Sequence, residues 1–214
     1  MKRLAIITLA IGDGIRELAQ LTHPRMKSYA DSIGADFIVL NERKFPTDII
    51  CYEKLQIADL LVGYDRICYV DTDVLISPFA PSIFEQVPED RVGLFEEGQI
   101  LDRKQALEKA KADGWGDWIC EANHYFNAGV FVFSSNHRPI LSPPPVFINN
   151  FQDQTWMNCQ VFKSGAKREA LPLKFDHMPS IDWHERHKSY FVHYAGCGAE
   201  QAARLVAEDI RRGM

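Results

Sequence analysis

Several features are missing from this chain of 214 residues, and each absence closes off a class of protein. No stretch approaches the ~20 consecutive apolar residues that a membrane-spanning helix needs. No block of five or more basic residues occurs and the net charge is −5, so the chain carries no electrostatic footprint for nucleic acid. The five cysteines (Cys51, Cys68, Cys120, Cys159 and Cys197) are odd in number and include no CxxC pair, which argues against a disulfide framework and for reduced, buried thiols. Neither an internal repeat nor an inter-domain linker is present; the Pro-rich stretch at 139–145 reads as a surface loop. The opening "MKRLAIITLAIGDG" is basic and then apolar, but the run is short, ends in Gly-Asp-Gly and has no small-residue cleavage site. It reads as a first core strand and not as a signal peptide. These features predict a cytoplasmic, single-domain protein, whose 46% hydrophobic residues are enough for a core without covalent staples. The mild acidity does not forbid an anionic ligand, but it suggests that a metal ion or a local lysine would neutralise one.

What is present is an alternation of strand and helix patterns. Continuous apolar, β-branched runs at 4–10, 35–40, 67–70, 91–96 and 128–134 suit strands buried on both faces, and 189–196 reads as a late strand. Helical spacing runs from Ile15, through an interruption at Pro24, to a stop at Gly34, and again over 50–64 with Leu55, Ala58, Leu61 and Val62 on one face. Further helices are expected at 101–114, 152–163 and after Gly198. The class is therefore α/β, a Rossmann-like mixed central sheet flanked by helices. In such sheets ligands sit beyond the carboxyl ends of the strands.

The segment "RICYVDTDVLIS" places Asp71 and Asp73 at such an end. In an extended chain alternate side chains point the same way, so the two carboxylates would aim together and Thr72 to the other side. Two parallel carboxylates need a positive partner, or one must take up a proton. A hard divalent cation answers that need, and its open coordination positions suit phosphate oxygens. Two enzyme classes use the pattern. Haloacid-dehalogenase-type phosphohydrolases carry D-x-D-x-[TV] on their first strand with a later acidic pair; here two strands precede the motif and no such pair follows. Metal-dependent glycosyltransferases place D-x-D at the end of a mid-domain strand.

Four more segments bear on the choice. "YFNAGVFVF" (125–133), "QDQTWMN" (152–158) and "FVHYAG" (191–196) occur in this order, and Lys54 precedes Asp71. Together with D-x-D they resemble the F-N-x-G-V strand, the D-Q-x-x-x-N helix start, the late H-x-x-G and the donor-binding basic residue of family 8 glycosyltransferases, which include glycogenin and bacterial galactosyltransferases. The similarity runs from Leu4 to about Gly198. The chain's small size also resembles that of stand-alone glycosyltransferases of large algal viruses.

That resemblance implies a GT-A fold and a retaining transfer of a hexose from a UDP-sugar, UDP-glucose first, to a glycan or glycoprotein acceptor. It implies Mn²⁺, with Mg²⁺ as the alternative, held by Asp71, Asp73 and His193. Residues 1–96 would form the nucleotide-binding half and 97–214 the sugar and acceptor half. Thr8, Ala10, Lys54, Thr72 and Gly196 would line the nucleotide and diphosphate, and Asp36, which heads the second strand, is either a nucleotide contact or a turn residue. Asn127, Ala128 and Asp153 would line the sugar, and Gln154 would face the anomeric carbon. Asp153 is also an ordinary residue for a helix start. Trp115 and Trp118 either pack their loop or stack on an acceptor sugar. One departure is plain: the Lys-Pro-Trp that follows the family's H-x-x-G is absent from "HYAGCGAEQ". Lys54, backbone N–H groups or the last helix start would have to cover its charge, and a sugar-nucleotide-binding module without turnover is the non-enzyme alternative.

Overall fold

Strands whose alternate residues serve two cores build the centre of the molecule. The computed structural model describes residues 2–114, 121–147 and 152–214. Strands β1 (Leu4–Leu9), β2 (Asp36–Leu40) and β3 (Arg66–Val70) are mutually parallel, with β1 in the middle. Two short strands follow, β4 (Val74–Ile76) and β5 (Arg91–Leu94), then β6 (Val130–Ser134), β7 (Lys167–Ala170) and β8 (Phe191–His193). The main sheet has the order β2-β1-β3-β6-β5-β7, with β6 antiparallel to both neighbours and β7 parallel to β5. β4 and β8 form a separate antiparallel pair. Both sequence halves share the main sheet, so it has one continuous core on each face.

Helix α1 (Arg16–Ser32) buries Leu18, Thr22, Met26, Tyr29 and Ala30; Met26, Tyr29 and Ala30 pack with Ile6, Cys68, Val70, Val130 and Val132. The intervening strand residues Ile7, Ile67, Tyr69, Phe131 and Phe133 face the other side, where Met157 and Val161 of α4 (Gln152–Ser164) cover them. Short helices α2 (Ile57–Leu60) and α3 (Lys104–Ala112) precede α4, and α5 (Ala199–Arg211) closes the fold. Among the described residues no helix is long and apolar enough to cross a membrane.

Pro24 does not interrupt α1. It sits on the exposed side, while the buried stripe carries the helix past it. Gly34 does stop it: with φ +67° it allows Gly34 N–H to reach Asp31 O and Ala35 N–H to reach Ala30 O, a Schellman cap. The helix expected over 50–64 is instead a 3-10 stretch at Ile50–Gln56 running into α2, and Val62 is 72% exposed. Four successive residues, Tyr52 to Leu55, are buried there, which a one-faced α-helix does not allow. Two strands escaped the sequence reading: β4 is three residues long, and β7 (KREA) is a charged edge strand with no apolar signal. The tryptophan loop, Trp115 and Trp118, and Cys120 lie outside the described residues. Cys51, Cys68, Cys159 and Cys197 are free thiols.

Gly34→Ala should cost ~1–2 kcal/mol, because an L side chain in the left-handed region meets its own carbonyl. Urea denaturation would show it, and an unchanged midpoint would mean that the cap is not what ends α1.

Candidate active site

The D-x-D segment is a turn, not an extended run. Val74 N–H reaches back to Asp71 O (3.0 Å), and Asp71 N–H bonds Gly129 O (2.7 Å). The two carboxylates still converge, but the reason is the turn and its anchors, not strand alternation. Thr72 is the anchor. Its hydroxyl donates to Leu9 O at the end of β1 (2.6 Å) and so accepts from Thr8 Oγ1 (3.1 Å). Thr22 Oγ1 of α1 donates to Thr72 O (2.8 Å). The turn is thereby fixed to both β1 and α1.

His193 arrives from the β4–β8 pair, where it stands opposite Val74, and Tyr194 N–H bonds Asp73 O (2.9 Å). Its Nε2 lies 3.4 Å from Asp73 Oδ1 and 4.0 Å from Asp71 Oδ2, and Nδ1 is 2.8 Å from Asp176 Oδ1. Asp176 is fully buried. One ligand atom from each of Asp71, Asp73 and His193 falls within 4.8 Å of the others. Gly129 makes room for the ring: a Cβ there would stand 2.2 Å from His193 Cε1. Burial works against a charge on His193, but the Asp73 and Asp176 carboxylates hold its pKa well above the ordinary imidazole value. Burial pushes Asp73 up, and the imidazolium outweighs it, leaving Asp73 below the usual carboxylate range. The imidazolium thus stands where a cation is called for. Two oxygens and one imidazole nitrogen, converging on one space and oriented from behind by a buried carboxylate, fit a divalent ion.

A cavity of about 310 Å³ opens beside this cluster. Its walls carry the charged groups Lys54, Asp71, Asp73, Asp153 and His193, and Asn127, Ala128, Gly129, Gln154, Ala195 and Gly196 beside them, with Leu9 and Cys51. Lys54 is 4% exposed and its Nζ is engaged three times: Asp153 Oδ2 at 2.8 Å, Ala128 O at 3.0 Å and Asp71 Oδ1 at 3.4 Å. Burial raises the Asp153 carboxyl to about 6 despite Lys54. Its Oδ2 has, besides that ion pair, no directed hydrogen bond. Tyr69 donates to Asp71 Oδ1 (2.6 Å).

Thirteen residues were expected at the site, and the fold brings nine of them to this cavity. Thr8 and Thr72 lie behind it as supports. Ala10 is tied to β2 through Leu40 O (2.8 Å). Asp36 is displaced altogether: it begins β2, paired with Ala5, at the amino end of the parallel strands, and accepts from Tyr64. A strand's first residue lies at the edge opposite the carboxyl ends, where the cavity opens. Asp176, Tyr69 and Glu97, a buried acceptor for Asn127 and Gln154, were not foreseen. Lone acids in loops leave no periodic signal; only the reach of the fold reveals them.

No family model matches the chain, and no curated protein matches it by sequence. Solved structures do. A glycosyltransferase involved in glycosylation of the major capsid of PBCV-1 has a TM-score of 0.66 at 13% identity, over 96% of this chain and 99% of that one. The galactosyltransferase LgtC, in complex with donor and acceptor sugar analogs, gives 0.54 at 17% identity over 95% of each chain. Mouse xyloside xylosyltransferase 1 gives 0.53 at 12% identity, over 92% of this chain and 99% of that one. At such identities the likeness shows the fold, and the fold is the GT-A arrangement expected from the sequence.

Asp176→Asn should weaken binding of Mn²⁺ alone by about 10–100-fold, as removal of a buried histidine-orienting carboxylate does elsewhere. Calorimetry and a thermal melt would check it; wild-type affinity in a folded variant would remove Asp176 from the metal's support.

Proposed function

We propose that the chain is a metal-dependent glycosyltransferase that moves a hexose from a UDP-sugar, UDP-glucose first, to a hydroxyl of a glycan or glycoprotein, with retention of configuration. The observation that carries this reading is the joining of two sets of groups in one cavity. Asp71, Asp73 and His193 converge on one space, and Asp153 and Gln154 line the same cavity. Such a pairing suits a ligand with a phosphate end and a polyol end. The GT-A fold of glycosyltransferases supports it, and offers no support for the phosphohydrolase alternative.

Mn²⁺ suits the mixed O,O,N donor set better than Mg²⁺, and when bound it would supply Lewis-acid stabilisation of charge on the departing diphosphate. The protein's own residues do the positioning. Asp153 lines the cavity as an acceptor for a sugar hydroxyl, with Lys54 holding the carboxylate in place through Oδ2. Gln154 presents a neutral amide to the sugar, too weak a nucleophile for an easy covalent route. Retention then follows from attack on the face the leaving group departs from. The bond from the anomeric carbon to the phosphate oxygen breaks, the bond to the acceptor oxygen forms, and the acceptor's proton passes to the released phosphate. The cavity walls hold donor and acceptor together on that face.

Lys54 is assigned here a role different from gripping the diphosphate. Its three contacts are carboxylates and a carbonyl inside the protein, which leaves it as the neutralising partner of Asp153 and Asp71. Nucleotide binding therefore depends on the divalent ion, backbone N–H groups and the Gly196 loop.

Screening UDP-sugars with Mn²⁺ for UDP release tests the reading, since a donor without acceptor is transferred to water. Asp73→Ala should abolish release with the circular dichroism spectrum unchanged. Release of inorganic phosphate from a phosphate ester, with no UDP-sugar turned over, would favour the phosphohydrolase; tight UDP binding without turnover of any sugar would mark a binding module. With EDTA present, UDP affinity should drop at least about 100-fold, close to 3 kcal/mol. Calorimetry showing equal affinity with and without the ion would contradict the assignment of Lys54.

A further inference from the structure

Glu97 is a carboxylate with no solvent exposure, placed where three elements meet. Its Oε1 accepts from Gln154 Nε2 at 2.8 Å and from Arg103 Nε at 2.7 Å; its Oε2 accepts from Asn127 Nδ2 at 2.9 Å. The seat is rigid. Gly98 N–H bonds Tyr125 O (2.8 Å), and a Cβ at Gly98 would lie 1.9 Å from Ala122 O, so the Glu97 loop is pressed against the segment that enters β6.

A carboxylate paired with a guanidinium offers acceptors only, so any amide against it must turn its NH₂ inward. The far ends agree. Gln154 Oε1 accepts from Ala128 N–H (3.1 Å), and Asn127 Oδ1 accepts from Gly129 N–H (2.7 Å). Both amides are thus fixed at each end, by an acceptor that cannot donate and by a donor that cannot accept. A flipped amide would face N–H against N–H on one side and oxygen against carboxylate on the other.

We infer that Glu97 is a positioning residue that keeps the carbonyl ends of Gln154 and Asn127 turned toward the Ala128–Gly129 wall of the cavity. Its kinetic consequence rests on the glycosyl-transfer reading; its structural consequence does not. In that reaction positive charge grows on the anomeric carbon. A carbonyl oxygen beside it lowers the barrier and an NH₂ group raises it, an electrostatic effect set before the substrate arrives. Glu97 touches neither reacting atom and acts through Gln154.

Two readouts on the full chain test this. In the apo protein the side-chain amide protons of Gln154 and Asn127 should exchange slowly with solvent, and Glu97→Gln should speed exchange at least about tenfold, because the amides can then turn. With Mn²⁺ and the UDP-sugar that the wild type hydrolyses fastest, Glu97→Gln should lower kcat by about 10–100-fold, the range for residues that orient a site from behind. The donor KM should move less than kcat does. Should Glu97→Gln fail to fold for want of a partner to Arg103, Glu97→Asp keeps the charge but falls a methylene short of both amides, and the same two readouts apply. Unchanged amide exchange, or an unchanged kcat in a folded variant, overturns the assignment. A wild type that turns over no UDP-sugar would defeat the proposed function while leaving the exchange measurement to decide the role of Glu97.

Discussion

Asp71 and Asp73 need a positive partner, and the rest of the site is arranged around supplying one. Their ligand atoms come within 4.8 Å, where like charges at an effective dielectric of about 20 repel by roughly 3–4 kcal/mol. The protein meets that cost with Lys54, 3.4 Å from Asp71, and with His193, delivered from a separate two-stranded pair and held from behind by the buried Asp176. The glycine at 129 is part of the same device, since any side chain there would push the ring out. A protonated imidazole and a divalent ion answer the same electrostatic demand, so the apo protein can hold the geometry that an ion would use.

The sheet topology is what makes that geometry possible here. Parallel β1 and β3 end at the same edge, which lets Thr8 and Leu9 on one strand and Thr72 on the turn after the other lock together. Antiparallel β6 then brings Asn127, Ala128 and Gly129 to that edge from the opposite direction, because its start lies beside the end of β3. The amino end of α4 approaches the same place and supplies Asp153 and Gln154. Four elements far apart in sequence converge on a cavity of about 310 Å³ for topological reasons, before any side-chain chemistry is considered.

Those topological reasons explain what could be read from the sequence. Long apolar runs declared β1, β2, β3 and β6, and amphipathic spacing declared α1 and α5, because both signals arise from burial repeated at a fixed period. The Asp pair, Asn127, the Asp153–Gln154 step and His193 stood out as polar residues attached to such runs. Asp176, Glu97 and Tyr69 did not, since their importance comes from which distant residue they face. Asp36 misled for a related reason: a polar residue beside a strand looks the same at either end, and only the strand's direction in the sheet tells which end holds the ligand. The turn at Asp71–Val74 shows the converse. Convergence of the carboxylates was foreseen from strand alternation, yet hydrogen bonds to β1 and α1 produce it.

The position of Lys54 has the widest consequence for chemistry. A lysine in a nucleotide-sugar site invites assignment to the diphosphate, but this one is almost wholly buried, with Asp153, Asp71 and Ala128 O occupying its ammonium group. Removing it to meet a phosphate would leave Asp153 buried without its counter-charge, a loss larger than a partly solvated phosphate contact returns. Under the proposed function Lys54 therefore serves the sugar end of the cavity, where it keeps Asp153 in place as an acceptor. On the glycosyl-transfer reading, the negative charge of the diphosphate then falls to the ion at Asp71, Asp73 and His193 and to backbone N–H groups. Ground-state grip and leaving-group stabilisation share that ion, so a change to any of its three ligands must alter nucleotide affinity and turnover together.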